Sequence, residues 1–147
     1  MRRSQRGEID VALTTEVSQR MIKASHDKAR ELGVAVSTAI VDADGRLVAF
    51  GRMDGTHWLS IDAAQAKAFT GAITRQEGVE LQRMQPAFVS ALSMMQERAL
   101  LPMASVTILR ENEQLIAGIG CSGMGSHGAT DELDGECARA ARDAYSR

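Results

Sequence analysis

The stretch Val36–Gly55 reads VSTAIVDADGRLVAFGRMDG and contains two short β-rich runs on either side of a tight turn. The first run, Val34–Val41, is rich in β-branched residues and follows a glycine, and the second covers Arg46–Phe50. Both runs have the composition of strands. The Asp44-Gly45 pair between them supplies the positive φ that a tight hairpin needs. This stretch therefore predicts a β-hairpin.

A helix is predicted on each side of this hairpin. Thr14 and Thr15 are good N-cap residues, apolar residues then recur at roughly helical spacing, and Gly33 suits the position after a helix. These features predict an amphipathic helix over 15–32. After the hairpin, Ser60 is predicted to cap a second helix that runs to about Thr74. Its many alanines and glycine would allow a close approach to a sheet or to another helix.

The second half of the chain is predicted to contain a helix, another hairpin and a last helix. The first of these begins at Pro86 and ends before Pro102, with an apolar stripe that includes Phe88 and Met95. The runs 104–109 and 114–121 form the second hairpin, and Thr130 caps a helix that reaches about residue 145. Two hairpins can share one antiparallel sheet covered by helices, so we predict an α+β fold. All 147 residues are expected to form one domain, with residues 1–8 as a loose N-terminal arm.

Composition excludes several classes of function. The formal net charge is −2 and aromatic residues make up only 3% of the chain, so no basic or base-stacking surface for nucleic acid is expected. No segment approaches the roughly 20 apolar residues of a membrane span. No apolar stretch follows the basic first residues, which argues against a signal peptide and favours a cytoplasmic location. We expect the partner to be a small molecule or another copy of the chain.

Two further patterns are interpreted structurally. Gly118–Gly123 matches G-x-G-x-x-G, but only one helix follows it, and that helix begins with acidic residues that would repel a pyrophosphate. We therefore reject a dinucleotide site and expect glycines that let a backbone or a ligand approach closely. Cys121 and Cys137 have no metal-ligand spacing, so we expect reduced thiols and no metal site. His26, in mid-helix, is interpreted as solvated surface, and Met94 and Met95 as core.

Polar residues near the hairpin are the candidates for a functional site. Arg52 and Asp54 follow the second strand, where they either line a cleft or form an ion pair that pins the loop. Lys67 lies in the alanine-rich helix. Spacing alone favours a lysine that reaches out to solvent over one that binds an anionic group in a pocket.

Two loop histidines remain open to several interpretations. His57, beside Trp58, and His127, in the glycine-rich loop, are each a candidate proton acceptor or axial ligand. No Ser/His/Asp or metal-ligand spacing connects them. A lone loop histidine is more often an ordinary surface residue.

The motifs above resemble the GlcG/HbpS-like family, which includes the C-terminal domain of PduO-type proteins. The family pattern matches Ser37–Gly55, then five positions of the following helix, Gly118–Gly123 and the helix start Asp134–Ala141. The five helix positions are Ser60, Ala64, Lys67, Ala68 and Thr70. The resemblance covers most of the chain and is most specific in its first half.

The resemblance implies a profilin-like α+β fold with a five-stranded antiparallel sheet, helices on both faces, and homo-oligomers. Ile9–Leu13 is the N-terminal candidate for the fifth strand. The resemblance also implies haem or a corrinoid as candidate cofactors. Two departures stand out: Leu100–Ile108 lacks the glycine pair usual before the third long strand, and Met124–Gly128 lengthens the loop after Gly123.

Three hypotheses follow for function. In the first, the protein binds haem, a corrinoid or a small organic acid, with Arg52, Lys67, His57, Trp58 and Asp134 as ligand-binding residues. In the second, it is a cofactor-independent isomerase or lyase acting on a small organic acid. Here Arg52 and Lys67 would bind the carboxylate, and His127 or Asp54 would move a proton. In the third, it is a structural oligomer without a ligand.

Overall fold

The computed structural model describes residues 2–3 and 9–146. In chain order, the fold consists of β1 (Arg2–Arg3), β2 (Ile9–Asp10), α1 (Thr15–Leu32), β3 (Ser37–Asp42), β4 (Leu47–Arg52), α2 (Ser60–Thr74), α3 (Gly78–Leu81), α4 (Pro86–Gln96), β5 (Thr107–Glu111), β6 (Gln114–Ser122) and α5 (Asp131–Asp143). A 3₁₀ turn at Ser126–Gly128 precedes α5. The predicted order of helices and hairpins is confirmed, with the short α3 added.

The main sheet is antiparallel, with the strand order β4-β3-β6-β5. The first hairpin turns as predicted: Gly45 has a φ of 78°, and its N–H donates to the carbonyl oxygen of Asp42 at 3.0 Å. The Asp42 carboxylate also accepts the N–H groups of Asp44 and Arg46. The two hairpins meet at β3 and β6, where Ile40 pairs with Ile119.

The expected fifth strand is not found in this sheet. Within the described residues the sheet has four strands, and β2 pairs with β1 instead. β2 is only two residues long and its hydrogen bonds go to β1, so the predicted strand Ile9–Leu13 does not extend the main sheet. The predicted arm, residues 1–8, lies outside the described residues except for β1.

Helices cover both faces of the main sheet, as expected. One face packs on α2 through Ala39 and Val41, and the other packs on α1 and α5 through Ile40 and Ile119. Successive strand residues point to opposite faces, so each strand serves both layers. α1 begins at the Thr14 cap, whose side chain accepts the N–H of Val17, and it ends at Gly33 in the left-handed conformation.

The backbone of α2 lies directly on β6. A Cβ atom at Gly118 would collide with the carbonyl oxygen of Ala68, and one at Gly120 would collide with that of Ala64. The glycines of the rejected dinucleotide motif therefore let a helix backbone approach the sheet, one of the two alternatives that the sequence left open. The same contact fixes the position of the α2 side chains next to β6, including Lys67.

Candidate functional site

Lys67 is buried at the end of the sheet, where its side chain is only 2% exposed. Its Nζ donates to the carbonyl oxygen of Cys121 at 2.9 Å, to Asp131 Oδ1 at 3.3 Å and to Asp134 Oδ2 at 3.2 Å. An ammonium group has three N–H donors, so these acceptors use them all. The interpretation of Lys67 as a solvent-reaching lysine is therefore wrong, because two carboxylates and a carbonyl hold it inside.

The two carboxylates come from the first turn of α5. Thr130 caps this helix by accepting the N–H of Leu133 at 3.3 Å, which places Asp131 and Asp134 on one side, three residues apart. The second oxygen of each carboxylate accepts a backbone N–H, from Ser105 to Asp131 at 3.2 Å and from Gly123 to Asp134 at 3.0 Å. Burial raises the pKa of Asp134, and the nearby Lys67 ammonium opposes that rise.

Lys67 and its two carboxylates line a pocket of about 630 Å³. This volume falls within the range of about 300–1,000 Å³ that is typical of small-molecule sites. The lining residues come from α2, the 99–103 segment, the end of β6 and the start of α5: Leu59, Asp62, Ala63, Ala66, Lys67, Ala99, Leu101, Met103, Ser122, Met124, Gly125, Ala129, Thr130, Asp131 and Asp134. The walls are mainly apolar, and the charged groups are concentrated on the α2 and α5 sides. We call Lys67, Asp131 and Asp134 the pocket floor.

The other candidate residues lie together on a pair of exposed loops outside the pocket lining. Arg52 donates to the carbonyl oxygen of Thr56 at 2.7 Å, so it pins its own loop through a carbonyl group. The N–H of His57 donates to the Ser126 hydroxyl at 2.8 Å, which joins this loop to the lengthened one.

The aromatic side chains of the loop pair are close to solvent. His57 stacks on Trp58 with ring centroids 5.3 Å apart, and Trp58 is 63% exposed. The His127 ring lies beside Gly55 of the other loop: its Nε2 would be 3.2 Å from a Cβ atom placed on Gly55. Asp54 is also exposed. Of the site residues suggested by the sequence, the structure thus brings Lys67 and Asp134 together in the pocket and leaves the other five on or beside the loops.

Sequence reasoning missed most of the pocket, although one signal was present. Leu59, Asp62, Ala63, Ala66 and Lys67 follow the i, i+3, i+4, i+7, i+8 spacing of one helical face. This face lines the pocket on the α2 side. Asp131 was noted only as part of an acidic helix start, since nothing in its local sequence connects it with Lys67.

Three expectations about other residues are now resolved. Both cysteines are free and buried, and burial raises the pKa of Cys121 to about 11 and that of Cys137 to about 12, so neither thiol is primed to react. His26 is half-buried over Gly51 rather than solvated, because Gly51 leaves room for its ring. Met94 and Met95, expected in the core, are 79% and 74% exposed, because no element of the described part of the chain packs over α4 and buries them.

Within the described residues, no group of three or more His, Cys, Asp or Glu side chains is arranged to hold a metal ion. No helix in the described part of the chain is long and apolar enough to cross a membrane.

Comparison with known proteins places these features in a family. Among solved structures, a PduOC–haem complex superimposes with a TM-score of 0.79 and 27% sequence identity, covering 92% of this chain and 96% of that one. Protein ORFY of Klebsiella pneumoniae superimposes with a TM-score of 0.77 and 27% sequence identity, covering 98% of this chain and 95% of that one. A double mutant of Streptomyces reticuli HbpS gives 0.76 and 27%, with coverages of 100% and 96%. No curated protein sequence matches the chain. The family model described as haem degrading protein HbpS-like matches residues 13–143, and the chain therefore belongs to the HbpS-like family.

Proposed function

We propose that this protein binds a mainly apolar small molecule in the pocket between α2 and the start of α5, and that haem is the first ligand to test. The observation that carries the proposal is a cavity of about 630 Å³ with apolar walls and a polar floor. The complex of PduOC with haem, in a chain 27% identical to this one, supports the choice of ligand.

The residues that line the pocket are compatible with haem. Ala63, Ala66 and Leu101 offer apolar surface for a flat macrocycle, and Met103 and Met124 carry thioether sulfurs of the kind that serve as axial ligands. The bound group would supply an iron centre whose reactivity depends on its axial ligand. Because the carboxylates of the floor would repel the propionates, the apolar wall residues, and not the floor, would hold the group.

The other proposed ligands have less support from the site. A small organic acid needs a free cation for its carboxylate, and all three N–H donors of Lys67 are already used. Arg52, the second candidate for that role, is not among the lining residues of the pocket, and its Nε and Nη2 donate to the carbonyl oxygen of Thr56. A corrinoid would share the apolar walls, but no feature of this pocket favours it over haem.

The catalytic alternative also has less support. An isomerase or lyase that uses Lys67, His127 and Asp54 needs these groups around one substrate, within about 3 Å of its reacting atoms. Lys67 lines the pocket, whereas His127 and Asp54 are not among its lining residues. We therefore propose binding, and not proton transfer by these three residues, as the function of the site.

Titration with haemin, followed by absorbance in the Soret region, tests the proposal. We expect a shifted Soret band with wild-type protein and its loss in Ala66→Phe, which fills the pocket from α2. The matched control is Ala43→Phe, at an exposed position of the turn between β3 and β4 outside the pocket lining. Binding that survives Ala66→Phe but is lost in His57→Ala or His127→Ala would move the site to the loop pair. Absence of any shift in wild-type protein would refute haem binding.

A further inference from the structure

The pocket floor has spare hydrogen-bond acceptors but no spare cationic donor. Each carboxylate offers about four lone-pair sites, and Asp131 and Asp134 each accept two hydrogen bonds from the residues that the structure describes. Lys67, in contrast, has no N–H left to offer a ligand. The hydroxyl groups of Ser122 and Thr130 in the lining can serve either as donors or as acceptors. A ligand group that reaches the floor is therefore best bound if it donates.

Charge favours the same kind of ligand group. The pocket lining contains one cation, Lys67, and three carboxylates, which belong to Asp62, Asp131 and Asp134. The N-terminus of α5 adds only about half a positive charge, so the lining remains negative. Of the two carboxylates that hold Lys67, Asp131 is the better placed to meet a ligand, because it lines the cavity and its side chain is 28% exposed, compared with 6% for Asp134; Asp62 lies at the exposed edge of the lining.

We propose that Asp131 sets the charge specificity of this pocket, which takes molecules with an apolar body and a protonated amine and rejects those with a carboxylate at the same position. The amine would donate to the free lone pairs of Asp131, and the apolar body of the ligand would contact Ala63 and Ala66 of α2. This inference depends on the proposed ligand binding in the pocket, but it does not depend on haem being the ligand. For haem, this inference means that the propionates would not bind at Asp131.

Three probe molecules with one carbon skeleton separate charge from shape. 3-Phenylpropylamine, 3-phenylpropanol and 3-phenylpropionate carry a cationic, a neutral and an anionic end, and isothermal titration calorimetry at pH 7 gives their Kd values. Charge-assisted hydrogen bonds are about twice as strong as neutral ones, so we expect the amine to bind at least about tenfold more tightly than the propionate. Ala66→Phe should abolish amine binding, and Ala43→Phe should leave it intact.

The decisive variant is Asp131→Asn, with Glu132→Gln as its matched control. Both remove one negative charge from neighbouring residues of α5, but Glu132 is exposed and outside the pocket lining. In Asp131→Asn, the Kd of the amine should lie within about threefold of the Kd of the alcohol. In Glu132→Gln, the ratio of the two Kd values should equal that of the wild type. If Asp131→Asn does not fold, Asp62→Asn at the exposed edge of the lining should lower amine affinity in the same direction.

The possible outcomes distinguish this inference from the proposed function. Tighter binding of the propionate, or equal loss of amine affinity in Glu132→Gln, would overturn the inference. If haemin binds in the pocket but none of the three probes does, the inference fails and the proposed function stands. If the amine binds in the pocket and haemin does not, haem is the wrong ligand and the charge specificity of Asp131 stands.

Discussion

At the scale of single residues, the ion cluster of Lys67 shows how far a local pattern can mislead. The sequence places a lysine in an alanine-rich helix, and a long side chain there usually reaches solvent. Its partners Asp131 and Asp134 lie 64 and 67 positions further along the chain, so no local spacing connects them with it. The family resemblance drew attention to Lys67 as a position, but only the packed structure shows that its charge is already neutralised.

The first prediction concerns the removal of this charge. Lys67→Met would leave two carboxylates without their shared cation, and breaking a buried pair typically costs about 3–5 kcal/mol. We expect the free energy of unfolding, measured with urea, to fall by about that amount. The control is Lys23→Met, which removes a lysine of a pair whose side chains are 75% and 51% exposed and should change little. Equal effects of the two substitutions would show that the cluster does not stabilise the fold.

The second prediction concerns His26, whose pKa is lowered from 6.5, mainly by burial. The folded state then binds fewer protons than the unfolded state as the pH falls below 6.5. Folding is therefore most favourable above that pH, and stability is lost as the pH falls toward the lowered pKa. As the pH falls from 7.5 to 5.5, we expect the free energy of unfolding of the wild type to decrease relative to that of His26→Gln. Urea unfolding at several pH values measures it.

Leu47→Gln provides the control for this pH dependence. Leu47 is 48% exposed and the substitution changes no titratable group, so its stability difference from wild type should stay constant between pH 7.5 and 5.5. A stability difference for His26→Gln that does not change with pH would contradict the burial of a neutral imidazole over Gly51.

At the scale of elements, the contact between α2 and β6 determines the shape of the site. The sequence predicted the extent of α2 to within one residue, as well as the hairpin turn before it, because alanine content, turn residues and periodicity are local signals. The predicted cap was wrong: Leu59 is the N-cap residue, and the Ser60 hydroxyl instead shares a hydrogen bond with the hydroxyl of Ser37 on β3. It also predicted a close approach through small residues. It did not identify the partner, because pairing of Gly118 and Gly120 with the backbone of α2 is a tertiary contact.

The third prediction tests this close approach. In Gly120→Ala the new Cβ atom would collide with the carbonyl oxygen of Ala64 and crowd the Lys67 Cβ atom, so α2 must move away from the sheet. We expect a loss of about 3 kcal/mol or more, at or above the upper end of overpacking costs, together with weaker ligand binding. Gly125→Ala meets no atom within 4 Å and carries only the cost of a φ of 78°, about 1–2 kcal/mol. A smaller loss in Gly120→Ala than in Gly125→Ala would refute the close packing.

At the scale of the whole molecule, most of the fold could be predicted from sequence, but its outer surface could not. The α+β class, the two hairpins and the helices on both faces follow from patterns within each element. The apolar stripe of α4 was also visible, but periodicity does not show what a stripe contacts. In the described structure, α4 buries none of its residues, and Phe88 is 55% exposed. The prediction that Ile9–Leu13 supplies a fifth strand of the main sheet was wrong for a related reason, because the composition of a strand does not determine which strand it pairs with.

The last prediction concerns this surface. α4 contains no charged residue over Pro86–Gln96, and its large apolar side chains Phe88, Met94 and Met95 are 55%, 79% and 74% exposed. An uncharged patch can meet a copy of itself without like-charge repulsion, and the family resemblance implies homo-oligomers. We therefore predict that a second copy covers α4. Light scattering coupled to size-exclusion chromatography should show an oligomer for wild type and a smaller species for Phe88→Glu. Gln19→Glu, which adds the same charge on α1, should keep the wild-type mass. A monomeric wild-type protein at micromolar concentration would mean that α4 is solvated and that the pocket is complete within one chain.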